Sequence, residues 1–238
     1  MNDKLKNNSS PHCHQCPAFK KSAFHSLSKE ELDLLQNNKS SFEISRGDHL
    51  NEKGSCADGA YCIASGYSKI VWQEKDNSES IVKLVGPGDM AGYRCLFTEE
   101  NFRATAVSLG NTHGCFISKE NFIKLVETNA EFNKEILARM SREIKLSEER
   151  LHSYSRKNVR ERMALALLLL KDLCGVEKNG AWVLEIHLTR EELSSWIGSV
   201  KETVVRCLTD MKEEKVIAQE GSFIMILDVQ ALKKIAGL

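Results

Sequence analysis

The sequence predicts an α+β fold: a β-roll of the jelly-roll kind, joined by a long helix to a C-terminal winged helix-turn-helix. Three observations carry the prediction. Between about residues 42 and 117 the chain breaks into short apolar runs, punctuated by glycine at 47, 54, 59, 66, 86, 88, 92, 110 and 114. Short strands with turn signals every ~8–12 residues describe a sandwich or jelly roll. From about 131 to 154 a helical period takes over, and two capped amphipathic segments then flank Gly198, the pattern of a helix-turn-helix.

Taken in order, residues 1–12 are polar and are expected to be disordered. They lack the apolar stretch of a signal peptide, and the longest apolar run, 163–170, is too short to span a bilayer. A cytoplasmic protein without a membrane partner is therefore expected. Ser28 and Glu31 form a capping box before a short helix. Residues 61–65, 68–72, 81–85, 104–107 and 115–117 are the strand candidates, and Ser118 caps a helix over 119–126. Along the helix of 131–154, Leu137, Met140, Ile144, Ser147, Leu151 and Tyr154 alternate in spacing between three and four. That is a coiled-coil seam with one polar member, although a helix packed on its own domain shows the same stripe. Residues 155–158 interrupt the seam and are the expected hinge. A helix over 159–174 opens the last part, with 164–170 buried.

Thr189 is the expected N-cap of the next helix, with Glu192 completing the box, and Ser199 with Glu202 repeats the device after Gly198. Leu193, Trp196 and Ile197 form the apolar face of the first helix; Val200, Val204 and Leu208 form that of the second. An ordinary αα-hairpin shares this spacing. The next segment favours the other reading: residues 215–226 are two β-rich runs broken at Glu220-Gly221, a wing directly after the recognition helix. In that fold the second helix enters the DNA major groove. It presents Lys201, Glu202, Val205 and Arg206 away from its apolar face.

Composition narrows the class. The chain has 238 residues, with 42% hydrophobic and 28% charged residues, an ordinary globular balance with room for two modest cores. Its 33 basic residues are matched by 33 acidic ones. Non-specific coating of DNA rests on Lys and Arg against phosphate, so neutrality favours a specific regulator over a packaging protein. Eight cysteines in a cytoplasmic chain point to reduced thiols, metal ligands or redox sensors, not structural disulfides. Cys56, Cys62, Cys174 and Cys207 lie in apolar or mixed patterns and read as buried small hydrophobes. There is no nucleophile elbow, P-loop or HExxH, so no enzyme is expected; a thiol-dependent one is the reading from another class. A scaffold whose winged helix binds protein is the third.

Thr189-Arg190-x-x-Leu193, Gly198, Glu202-Thr203-Val204 and Arg206 together resemble the CRP/FNR family of bacterial regulators, the family of the cyclic AMP receptor protein and the fumarate-nitrate reduction regulator. The stretches 64–70 and 86–89 resemble the same family's sensory β-roll. The resemblance implies a cyclic-nucleotide-binding-like domain and a homodimer formed through Leu137, Met140, Ile144 and Leu151. It also implies a palindromic double-stranded operator, and RNA polymerase as a further partner. It divides the chain into a Cys/His segment (1–26), a β-roll (27–128), a dimerisation helix with hinge (129–156) and a DNA-binding domain (157–238). The family's base-contacting positions fall on Glu202 and Arg206: arginine pairs with guanine, and a carboxylate accepts from cytosine N4. Thr189, Arg190, Lys201 and Ser222 are candidate phosphate contacts.

For the effector, the resemblance argues against cyclic AMP. The family's ribose carboxylate is replaced by Tyr93 and its phosphate hydroxyl by Ala104, leaving Arg103, which reads as an ion-pairing residue. Each lost partner would cost about 1–3 kcal/mol. Cys13, Cys16 and Cys115 match three of the four [4Fe-4S] ligand positions of the fumarate-nitrate reduction branch, a redox-sensing alternative. Ser22 falls near the place of the fourth, for which His12, His14, His25 or Cys95 are candidates. Zinc suits the Cys-x-x-Cys too, as does a metal-free dithiol. On this ligand count the protein is expected to carry no iron.

Overall fold

The computed structural model describes residues 5–6, 12–73 and 78–238. The chain packs as two compact units, Met1–Ile144 and Lys145–Leu238. The first unit begins with β1 (Leu5–Lys6), then passes through three short 3₁₀ turns, Cys13–Gln15, Phe19–Lys21 and Ala23–Ser26. The expectation of disorder over 1–12 is corrected at β1 and at His12, which leads into the first turn; residues 1–4 and 7–11 lie outside the described residues. α1 (Lys29–Asn37) starts at the expected capping box: the Ser28 hydroxyl accepts from the Glu31 N–H, and the Glu31 carboxylate from the Ser28 N–H at 2.8 Å. Then come β2 (Lys39–Ile44), β3 (His49–Asn51), β4 (Gly59–Ser65), β5 (Ser68–Gln73), β6 (Glu79–Val85), β7 (Met90–Ala91), β8 (Thr105–Ser108) and β9 (Thr112–Ser118). α2 (Lys119–Thr128) and α3 (Ala130–Arg156) complete the run.

The strands form two antiparallel sheets, β1-β2-β9-β4-β7 and β3-β8-β5-β6, the expected β-roll. The five strand candidates are all present with shifted ends. β2, β3 and β7 escape the sequence because the first starts on Lys39-Ser40-Ser41 and the others are very short. Ile63, Ala60, Ala106 and Ile117 are almost without solvent exposure; Ala60 and Ile117, cross-strand partners, share one face of β4–β9 and Ile63 lies on the other. An aromatic cluster ties the N-terminal turns and both helices to this core. Phe132 of α3 lies 5.4 Å from Phe24 and 5.7 Å from Phe122, ring centre to ring centre. Each such burial is worth ~1.5–3 kcal/mol, and this cluster is what holds the segment carrying Cys13 and Cys16 onto the roll.

The boundary between the units falls inside α3. Leu137, Ile144 and Leu151 are 58%, 58% and 71% exposed, while Met140 packs half-buried against the β-roll core. The helix runs through Arg156, so of the expected hinge at 155–158 only residues 157 and 158 lie outside a helix. Asn158 caps α4 (Val159–Cys174) in another capping box. Most of 164–170 is buried as expected, but Leu169 is 41% exposed.

Next come β10 (Gly175–Lys178) and β11 (Ala181–Leu184), then α5 (Arg190–Ile197), α6 (Lys201–Glu213), β12 (Ile217–Glu220), β13 (Phe223–Ile226) and α7 (Val229–Ala236). β12 and β13 are the expected wing; they join β10 and β11 in a sheet of order β10-β11-β13-β12. The β10–β11 hairpin, absent from the strand candidates, turns on Asn179-Gly180, both with positive φ. Asn-Gly is the standard sequence signal for such a turn. Two further corrections concern cysteines and caps. Cys56 is exposed, not buried, and Cys62 only half-buried; Cys174 and Cys207 are buried as expected. The N-cap of α6 is Val200, without a side-chain cap, so the Ser199–Glu202 box does not form and Val200 is 61% exposed. No helix among the described residues is long and apolar enough to cross a membrane.

Candidate functional site

The geometry of the helix-turn-helix depends on how α5 ends. Thr189 caps its start as expected, its hydroxyl accepting from the Glu192 N–H at 3.1 Å. At its end Gly198 takes a left-handed φ of 64° and the chain folds back, Ser199 N–H donating to Ser194 O at 3.0 Å. Arg162 of α4, which no sequence motif singles out, clamps the turn. Its guanidinium donates to the carbonyls of Ile197 at 2.9 Å, Gly198 at 3.0 Å and Lys157 at 2.8 Å. Tyr154 completes the clamp: its hydroxyl donates to Trp196 O at 2.7 Å, and the Arg162 guanidinium lies over its ring. Tyr154, expected in the seam, therefore supports this turn instead.

So held, α6 has two distinct faces. Val204, Cys207, Leu208 and Met211 are buried, and Lys201, Glu202, Val205 and Arg206 are exposed. These four follow the i, i+1, i+4, i+5 pattern of one helix face. Around them, Lys201 pairs with Glu191 across the turn. That pairing lowers the Glu191 pKa and raises that of Lys201. Arg190 donates to Gln219 Oε1 on β12 at 2.8 Å, which ties the start of α5 to the wing. Ser222 is exposed at the wing tip.

The β-roll holds a second constellation. A cavity of about 360 Å³ is lined by Cys13, Cys16, Cys62 and Cys115, with Lys39 and Ser22 beside them. The expected trio is thus brought together, and Cys62 joins it. His12, His14, His25 and Cys95 do not line this cavity. Cys62 on β4 and Cys115 on β9 are direct cross-strand partners. Cys13 and Cys16 belong to a 3₁₀ turn closed by Cys16 N–H to Cys13 O at 3.1 Å. Lys39 Nζ lies 3.2 Å from Cys13 Sγ. Burial first, then the neighbouring Cys115, Cys16 and Cys13, pushes the Cys62 thiol pKa up; burial also raises that of Cys115, against the pull of Lys39. Cys62 reads as a core residue because Tyr61 and Ile63 mark an apolar strand. Period two turns Cys62 to the face opposite theirs, but only the β4–β9 pairing places it against Cys115.

At the position of the resembled family's ribose carboxylate, Tyr93 is buried and its hydroxyl donates to Glu143 Oε1 of α3 at 2.9 Å. Lys83 Nζ reaches the same carboxylate at 2.5 Å. Arg103 makes the expected surface ion pair, 3.7 Å from Glu100.

Comparison with known proteins agrees in both halves. Residues 41–129 match the cyclic nucleotide-binding domain family, and residues 161–235 the Crp-like helix-turn-helix domain family. The chain is 27% identical to the transcriptional activator protein Anr of Pseudomonas protegens, over 98% of this chain and 96% of that one. It is 26% identical to the fumarate and nitrate reduction regulatory protein of Vibrio cholerae, over 95% of this chain and 91% of that one. In fold it is similar to FixK2 of Bradyrhizobium japonicum, with a TM-score of 0.73 and 19% identity over 83% of this chain and 96% of the other.

Proposed function

The chain belongs to the CRP/FNR family of transcription regulators, and from that premise we propose that it binds a palindromic operator as a homodimer, one α6 in each half-site. Its helix-turn-helix makes it a sequence-specific DNA-binding regulator. The observation that carries the finer reading is the division of α6. One face is sealed into the domain core, and the other presents Lys201, Glu202, Val205 and Arg206 together. Arg206 is assigned to a guanine and Glu202 to a cytosine amino group, one helical turn apart. Because Ser199 does not cap α6, no box competes for the Glu202 carboxylate. Lys201 and Val205 flank these readers and tune the remaining specificity.

The supporting contacts divide less evenly. Ser222, exposed at the wing tip, is assigned to a phosphate contact. Thr189 and Arg190 are engaged in the cap and in the link to Gln219, so they serve first to set the angle between helix and wing. Dimerisation is assigned to Leu137, Ile144 and Leu151, whose exposure on one chain leaves an apolar stripe for a second copy. Met140 contributes from the edge, since it is half-spent on the β-roll. RNA polymerase is the expected partner of the DNA-bound dimer in the cytoplasm. Tyr93, buried and bonded to Glu143, supports the reading that cyclic AMP is not the effector.

Selection from random double-stranded DNA tests this reading. It should yield a palindrome with half-site centres about 34 Å apart, one helical turn, each half containing a G·C pair. A protein that shifts no probe at all would favour the enzyme or scaffold alternatives.

A further inference from the structure

We propose that Cys13, Cys16, Cys62 and Cys115 form one four-thiolate site for a thiophilic metal centre, with Cys62 supplying the ligand that the N-terminal segment lacks. The inference goes beyond the DNA-binding reading and does not depend on it. Its basis is that two independent supports bring thiol pairs to a single cavity. One pair is local, on the 3₁₀ turn of Cys13–Gln15 with its closing Cys16. The other is a cross-strand pair in register on β4 and β9. Three of the four positions can be picked out along the chain; the fourth exists only through strand pairing. This reverses the expectation of a protein without iron, which rested on a missing fourth cysteine.

The donor set fits a soft metal. Four thiolates suit zinc or an iron–sulfur cluster, and neither hard oxygen-seeking cations nor copper(II). The cluster asks for the smaller contraction. Tetrahedral zinc with Zn–S bonds of about 2.3 Å needs its sulfurs drawn to one point. Among the described residues, no three His, Cys, Asp or Glu side chains stand close enough to hold a metal ion of any kind, so the sulfurs must draw together around either centre. A polynuclear cluster takes each thiolate at a separate corner, and a cavity of about 360 Å³ leaves room between them. Binding replaces each S–H proton with a metal bond and releases the proton to solvent. The Lys39 ammonium, 3.2 Å from Cys13 Sγ, then offsets part of the thiolate charge. Arg139 of α3 donates to the carbonyls of Lys21 and Gly88, so the segment just after Cys16 is bonded directly to the helix that carries Met140.

The test uses the full-length protein, prepared without oxygen and incubated in one arm with equal amounts of ferrous and ferric iron and with sulfide, in the other with zinc ions alone. Metal and sulfide are quantified, and the sulfur count around the metal is read by X-ray absorption. The expected result is stoichiometric binding with four sulfurs, brown in the iron arm, lost in Cys62→Ser and in Cys16→Ser but kept in Cys95→Ser. Cys16, which lies outside the sheet, provides a variant that leaves the β4–β9 pairing untouched, and circular dichroism confirms that each variant is folded. Stoichiometric zinc with four sulfurs and no cluster would keep the four-thiolate site and assign it to a single ion. A centre retained in Cys62→Ser, a shell of three sulfurs with a nitrogen from a residue such as His113, or no metal in either arm would overturn the proposal.

Discussion

Gly198→Ala tests whether the helix-turn-helix angle is set by the packing of Tyr154 on the turn. Gly198 has φ 64°, and a left-handed backbone costs a residue with a Cβ about 1–2 kcal/mol. The added Cβ would lie 2.8 Å from Tyr154 Cε1, closer than such atoms approach. The ring must therefore move, and its hydroxyl bond to Trp196 O is weakened or lost, a further ~0.5–1.5 kcal/mol. The expected total is roughly 1.5–3.5 kcal/mol. Gly221→Ala is the control: its φ is 57°, but a Cβ there meets nothing within 4 Å, so only the backbone cost of about 1–2 kcal/mol applies. Urea unfolding followed by tryptophan fluorescence measures both, with Trp72 replaced by Phe so that Trp182 and Trp196 report. Because the turn aims α6, Gly198→Ala should also weaken operator binding more than its stability loss explains. Equal destabilisation by the two substitutions would remove the Tyr154 contact from the account.

Other expectations rest on single contacts. Thr189→Ala should cost about 1 kcal/mol as a lost cap, whereas Ser199→Ala should change stability by less than ~0.5 kcal/mol; a reversed order in thermal melts would restore the Ser199 box. Ile144→Asp places like charges across the proposed seam and should convert the dimer to monomer in sedimentation. An unaltered dimer would put the interface elsewhere. Hydrogen bonds from Asn129, then from the Ser28 N–H, hold the Glu31 carboxyl below its ordinary pKa. A depressed folded-state pKa contributes stability above the unfolded value, about 4.3, that is lost as pH falls through the folded one. The Tm difference between wild type and Glu31→Gln should therefore shrink below about pH 4, and a constant difference would contradict the assignment.

Legibility in the sequence tracks which forces are local. Caps at Ser28, Ser118 and Thr189, the left-handed stop at Gly198 and the apolar faces of α4 and α5 are decided within a few residues, and the sequence alone locates them. The start of α6 is displaced by a single residue, from Ser199 to Val200 as N-cap, because Ser199 N–H folds back onto Ser194 O. The pieces that depend on distant pairing are not legible. Cys62 meets Cys115 only through sheet order, Arg162 and Tyr154 converge on the turn from other helices, and β2 is a strand because β9 lies beside it. The recognition face is readable because a helix that buries one stripe must present the other.

The central claim is that Arg206 reads a base in each half-site, and selection from random DNA with Arg206→Ala tests it most directly. The account predicts a folded dimer whose selected sites lose the G·C preference at one symmetric pair of positions. Affinity for the wild-type operator should fall by about 1–3 kcal/mol per half-site. Recovery of the same palindrome with undiminished affinity would contradict it.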